Sequence, residues 1–210
     1  MTNWLERLIG ETQAKLLVLL RRAPRSIAGL SDALHVTDNA VRTHVAALDR
    51  HGLVAHVGTQ RDTGGKPARV YSITSEAEEL FPKAYALVLG GLVDELNRTT
   101  GRERTADLLR MVGRRAAEQH GRPADPEERA RAATVLLQSL GADIELQRTD
   151  AGWLMQGYGC PLSKVTAGHP EVCELVKAIV AEVVGVPVTE CCDRSGRPRC
   201  AFKIDAAHAT

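Results

Sequence analysis

Five cysteines crowd into the last 51 residues of this chain, and the 159 residues before them contain none. They are Cys160, Cys173, Cys191, Cys192 and Cys200, with 12 residues between the first two, 18 between Cys173 and Cys192, and 7 between Cys192 and Cys200. Thiolates are soft ligands for iron–sulfur clusters and zinc, and they are also the centres of thiol–disulfide chemistry. Structural zinc sites usually carry two close Cys-x-x-Cys pairs, and this sequence has none. Four uses stay open on residue chemistry alone: an iron–sulfur cluster, a single metal ion such as zinc, metal-free thiol sensing, and cysteines buried as small hydrophobes.

The surrounding pattern says what must hold these sulfurs. Residues 143–148 and 152–157 read as strands joined at Asp150-Ala151, which puts Cys160 in a loop after a strand. His169-Pro170 opens a helix with Val172, Leu175, Val176, Ile179, Val180 and Val183 on its buried face. Cys173 then falls in the first helical turn, where the helix dipole is expected to lower its pKa. His169 is expected to pack by its ring at the helix start rather than act as a ligand. Residues 187–192 and 200–204 form a hairpin around Gly196. Neighbouring side chains on a strand face opposite ways, so only one of Cys191 and Cys192 aims at a shared centre.

The other half of the chain carries different chemistry. Residues 1–73 hold 10 Lys+Arg against 6 Asp+Glu, whereas residues 74–210 hold 17 against 20. The basic half is the place to look for a nucleic-acid surface. Residues 11–22 read as a helix with Leu16, Leu17, Leu19 and Leu20 as its apolar side, ended by Pro24. Ser26 caps a second helix over 27–34, and Thr37 caps a third from Asp38 to about His51. Val41, Val45 and Leu48 recur at helical spacing and face inward. The opposite side of that helix offers Asn39, Arg42 and Thr43. Asn pairs bidentately with adenine and Arg with guanine. Two β-rich runs, 54–57 and 70–73, flank a Gly-rich turn at 63–67. Arg61, Lys66 and Arg69 lie on or beside this hairpin, placed for phosphates or the minor groove, and Thr37 is placed for a phosphate. The alternative for this half is a helical domain that contacts protein only.

The stretch from Ser26 to Leu48, followed by Gly52-Leu53-Val54 and the wing "GGKPARVYSIT", resembles the winged helix-turn-helix of bacterial repressors. Joined to the Cys-Pro at 160, the His-Pro-Glu-Val-Cys at 169–173 and the terminal Cys, Gly and Cys at 192, 196 and 200, it resembles the SufR-type repressors of iron–sulfur-cluster assembly genes. That resemblance spans nearly the whole chain. It implies a homodimer, binding to double-stranded DNA at an inverted-repeat operator, and an iron–sulfur cluster, 4Fe–4S or 2Fe–2S, held by Cys160, Cys173, Cys192 and Cys200. It also implies that the cluster-loaded form represses. The tandem Cys191-Cys192 departs from the single cysteine of the family pattern.

The expected fold class is α+β. Residues 1–74 form the winged helix-turn-helix, 75–122 a helical linker and dimerisation region, and 123–210 a small cysteine-rich α+β sensor domain. One helix is expected from Glu76 to about Asn97, kinked at Gly90-Gly91, and its apolar stripe is the expected dimer interface. A further helix is expected over 105–120, and another runs from an Asp125 cap to Leu140. The first residues lack a basic region followed by an apolar run, and no stretch reaches the length of a membrane span. The expected compartment is the cytoplasm, with no membrane partner. An enzyme is not expected, because the chain has no Cys-x-x-Cys, no phosphate-binding glycine loop and no Ser/His/Asp set. The competing function is a regulator whose second half binds a small apolar or aromatic ligand in a pocket that includes Trp153, Met155 and Tyr158.

Overall fold

A computed structural model describes residues 3–60 and 67–205. The chain divides into two units, Met1–Lys83 and Ala84–Thr210.

In the first unit, helices α1 (Asn3–Ile9), α2 (Glu11–Arg22), α3 (Ile27–Leu34) and α4 (Asp38–Arg50) precede the hairpin of β2 (Val54–Gln60) and β3 (Ala68–Ile73). Both expected caps form. The Ser26 hydroxyl accepts from Gly29 N at 3.2 Å, and Thr37 accepts from Ala40 N at 3.4 Å. Between α3 and α4 the chain turns at His35, which takes a left-handed φ of 55°. Ser31 holds that turn by donating its hydroxyl to Val36 O at 2.5 Å. Leu16, Leu17, Leu30, Val41 and Leu48 are fully buried and knit the helices together, each worth roughly 1.5–3 kcal/mol on burial. Strand β1 (Arg25–Ser26) adds to the hairpin and makes the sheet order β1-β3-β2. Neither α1 nor β1 was expected. Leu5 of α1 is nevertheless 1% exposed and belongs to this core.

The helix expected over 76–97 is two helices, α5 (Ser75–Glu79) and α6 (Tyr85–Thr100). Pro82 has no N–H to donate and its ring clashes with the preceding turn. The chain closes α5 with bonds that reach back three residues, from Leu80 N to Ala77 O and from Phe81 N to Glu78 O. Arg21 fastens this corner. Its guanidinium grips Glu78 at 2.7 and 2.8 Å and lies 4.2 Å from the Phe81 ring centre. Gly90 and Gly91 stay inside α6.

The second unit continues with α7 (Arg102–Glu118), α8 (Pro126–Ser139), β4 (Ile144–Thr149), β5 (Gly152–Gly157), α9 (Ser163–Thr166), a 3-10 turn Pro170–Val172, α10 (Cys173–Val184), β6 (Val188–Glu190) and β7 (Ala201–Asp205). Asp125 caps α8 by accepting from Glu128 N at 2.9 Å, with Pro126 at the first helical position. The four strands are antiparallel in the order β4-β5-β7-β6. Leu137, Ile144, Met155, Ile179, Val180 and Phe202 form the centre of the core between sheet and helices. Gly113 lets α7 meet α10 backbone to side: a Cβ there would lie 2.3 Å from Leu175 O. The α+β class is therefore observed.

Candidate functional site

The first unit presents one polar surface. Thr37, Asn39, Arg42 and Thr43 are all exposed, at the cap and along the outer side of α4. Val41, Val45 and Leu48 point the other way and are buried. Thr43 donates its hydroxyl to Asn39 O at 3.0 Å, which leaves its oxygen lone pairs as acceptors. Arg42 and Arg69 line one cleft of about 500 Å³ with Asp38, Ile27 and Ala28. That cleft joins the start of α4 to the base of the wing, so the two guanidinium groups are set on one face. Arg61 and Lys66 lie outside the described residues.

The second unit gathers its cysteines. Cys160, Cys173, Cys192 and Cys200 all line one small cavity of about 10 Å³. Each reaches it from a different place. Cys160 follows β5 and precedes α9, Cys173 is the first residue of α10, and Cys192 and Cys200 flank the 193–199 loop. Cys191 is exposed and does not line the cavity. Its neighbour Cys192 is fixed against Ala201, which donates its N–H to the Cys192 Sγ at 3.3 Å.

The loop between Cys192 and Cys200 is a clasp. Asp193 and Arg199 pair through both backbone bonds, at 3.0 and 2.9 Å. The Arg199 guanidinium adds a 2.6 Å bond to the Asp193 carboxylate, which also accepts from Ser195 N at 2.8 Å. These donors hold the Asp193 carboxyl at about 2. On the far side, Gly157 admits the Cys200 backbone. Gly157 N donates to Cys200 O at 2.7 Å, and a Cβ on Gly157 would sit 2.6 Å from that oxygen.

Electrostatics divide the four thiols. The single Cys200 S–H is shared between Cys160 and Cys192, which pushes its own pKa up. The same hydrogen bond is the main cause that lowers Cys160, to about 6, and Cys192 is lowered in the same way. Cys173 departs from the expectation based on the helix dipole. Burial pushes its pKa up, and the hydrogen bond from Arg194 offsets this only in part. Desolvation of the thiolate outweighs one helix terminus. Arg194 was not singled out in the sequence. It is held by Glu190 and donates to Cys173, and only its position two residues after Cys192 marks it.

The residues partly fit a metal centre. The donor set is four thiols, the choice of iron–sulfur and zinc sites. The buried Thr166 hydroxyl also lines the cavity, beside Cys160. Yet among the described residues no three His, Cys, Asp or Glu side chains already stand in metal-holding geometry. A space of about 10 Å³ is close to the minimum for one water. Seating a metal group therefore requires the cavity to open.

His169 is four residues from Cys173 and its side chain is 16% exposed. It packs beside Gly90 and lies 3.8 Å from both Asp94 and Glu171. Glu171 accepts from Asn97 of α6 at 2.5 Å. Trp153, Met155 and Tyr158 do not form the apolar pocket considered for them. Trp153 and Met155 are buried in the main core, and Tyr158 is exposed with its hydroxyl donating to Glu145 at 3.0 Å. Among the described residues no helix is long and apolar enough to cross a membrane.

Comparison with known proteins bears on the first unit. Residues 10–56 match the model of the bacterial regulatory protein, arsR family. No curated protein matches the chain. Among solved structures the chain is similar to Lactococcus lactis ZitR, the C30AH42A mutant in apo form, at 20% identity over 48% of this chain and 76% of that one, with a TM-score of 0.29. A score that low supports no structural inference. The arsR match and the observed caps, helices and hairpin agree, and the arsR model describes transcription factors rather than enzymes. The first unit thus has a winged-helix fold, and its residues 10–56 are similar to bacterial regulatory proteins of the arsR family.

Proposed function

We propose that this chain is a transcriptional repressor whose DNA binding is controlled by an iron–sulfur cluster held by Cys160, Cys173, Cys192 and Cys200. The observation that carries this reading is the convergence of those four thiols on one cavity, with Cys191 outside it. The cluster, when bound, supplies a redox- and oxygen-sensitive group, and its loss frees four thiols. Arg194 partly offsets the burial of Cys173 as a thiolate, and the 193–199 clasp sets the separation of Cys192 and Cys200. On the DNA side, Asn39, Arg42 and Thr43 read base edges from α4, while Thr37, Arg61, Lys66 and Arg69 meet phosphates or the minor groove. By the SufR resemblance the targets are iron–sulfur-cluster assembly genes, and the protein acts in the cytoplasm.

The working form is a homodimer on an inverted repeat. One winged helix reads too few bases for genomic specificity. Helix α6 leaves Tyr85, Leu87, Val88 and Leu92 between 56% and 79% exposed, a stripe suited to a two-fold contact. Light scattering at micromolar concentration should report a dimer; a monomer with single half-site footprints defeats this part.

A second reading is a single ion such as zinc in the same four thiols, and the smallness of the cavity favours it. One experiment separates the two. Protein purified without oxygen is analysed for iron, acid-labile sulfide and zinc, and its visible spectrum is recorded. Iron and sulfide in equal amounts with visible absorption support the cluster. Stoichiometric zinc without colour establishes the second reading, and neither metal defeats both.

A further inference from the structure

A cleft in the second unit shares no lining residue with the cysteine cavity. It has a volume of about 700 Å³ and runs between α7, α10 and the 185–188 segment. That is within the ordinary range for small-molecule sites. Its lining is of two kinds. Ala178, Ala181, Val186 and Val188 supply an apolar floor, and Arg110, Arg114, Arg122 and Lys177 supply cations. Only Glu174 and Glu182 oppose them within the cleft.

The ion pairs leave positive charge over. Glu174 is shared by Arg110 at 3.8 Å and Lys177 at 3.9 Å, and Arg110 also meets Asp107 at 3.2 Å. Arg114 and Arg122 have no hydrogen-bond or ion-pair partner among the described residues. Arg110 Nη1 is buried and also without a partner. A buried guanidinium donor left unmatched is costly, and an anionic acceptor removes the cost.

Arg122, like Arg114, is an exposed side chain at the cleft. It lies over Gly185, whose φ is +75° and where a Cβ would stand 1.2 Å from Arg122 Nη2. The left-handed backbone at this position favours glycine, and a Cβ there would push the guanidinium aside. Three planar donor groups thus border one apolar trough. Arg is the side chain suited to bidentate recognition of carboxylate and phosphate.

We infer that this cleft is a binding site for a small organic anion, with a carboxylate or phosphate head on Arg110, Arg114 and Arg122 and a short apolar body on the Ala178–Val188 floor. It stands apart from the cysteine site and does not depend on which metal that site holds. Charge complementarity and the apolar floor select a small amphiphilic anion over a bare inorganic ion.

The test uses the full-length protein and octyl phosphate as probe, with octan-1-ol and inorganic phosphate as comparisons, by titration calorimetry. Octyl phosphate should bind saturably with one site per chain, at least about tenfold tighter than either comparison. Arg114→Ser and Arg122→Ser should each weaken it by about tenfold or more while circular dichroism and metal content stay unchanged. Octyl carboxylate in place of the phosphate should bind at the same site and lose affinity in the same variants. The proposal is overturned if octyl phosphate shows no saturable binding at millimolar concentration, if octan-1-ol binds as tightly, or if both variants bind as the parent does. It is equally overturned if the variants lose affinity for duplex DNA while octyl phosphate binding persists, since the arginines would then serve nucleic acid.

Discussion

In the first unit the candidate contacts lie along one helix and the hairpin beside it; in the second, the candidate ligands arrive from four separate places in the chain. Asn39, Arg42 and Thr43 occupy successive positions on the exposed side of α4, so one helical period generates the surface. Cys160, Cys173, Cys192 and Cys200 share no period and meet only through the packing of β5, α10 and β7. A surface that reads a long polymer is built from local repetition. A site that encloses a small group is built from tertiary convergence, and its electrostatics follow burial rather than position in an element.

The contrast predicts that damage to one unit leaves the other intact. The largest effect falls on the sulfurs. Cys160→Ser, Cys173→Ser, Cys192→Ser and Cys200→Ser should each abolish or strongly reduce the visible chromophore of anaerobically isolated protein, because a hydroxyl is a hard, poor ligand for iron. Cys191→Ser should keep its iron. Non-specific duplex affinity should persist throughout, since no cysteine lies in the winged helix. Iron content unchanged in all five would remove the cluster reading.

Next comes the reading helix. Arg42→Ala should lose about 1–3 kcal/mol on the operator and far less on random DNA, with metal content untouched. Equal losses on both DNAs would reassign Arg42 to phosphate. Lys66→Ala should weaken both alike and flatten the salt dependence of binding.

A third, smaller effect concerns packing in the second unit alone. Helix propensity favours Gly113→Ala by about 1 kcal/mol. The 2.3 Å approach of a Cβ to Leu175 O argues the other way, and overpacking of this kind costs about 1–3 kcal/mol. Net destabilisation is expected in denaturant unfolding. In a Trp4→Phe background the remaining tryptophan, Trp153, reports this unit; a more stable variant would mean α7 and α10 separate easily.

The smallest effect is a titration. With Cys160 lowered to about 6 by its bond from Cys200, metal-free protein should carry a Cys160 thiolate at neutral pH. The folded pKa lies below the unfolded thiol value of roughly 8.5. The associated stability is therefore complete above that value and is lost as pH falls through about 6. Thiolate absorbance at acid-to-neutral pH should show this step, and Cys200→Ala should move it upward. A step unmoved by that change would place the cause elsewhere.

Much of the first unit was legible because its signals are local. Ser26 and Thr37 mark helix starts by their own chemistry, and Val41, Val45 and Leu48 mark the buried side by spacing. The stripe over 76–97 misled because leucines recur through the break at Pro82, and a period carries no information about a missing N–H. Strand β1 is two residues long and has no pattern to detect. In the second unit the strands and α10 were legible, as were the cysteines as a group. Arg194 beside Cys173, the raised Cys173 pKa and the smallness of the cavity were not, because each depends on which distant residues supply the burial.

Gly157 decides where one sulfur of that cavity stands. Cys200 is pinned by its own backbone, to Gly157 on one side and through Ala201 into β7 on the other. Sliding it would break sheet bonds. Cys160 rides on a connecting segment with a four-residue helix, and Cys173 is preceded by a short 3-10 turn. Cys200 is thus the sulfur tied most directly to the sheet, and Cys160 the one carried on connecting chain.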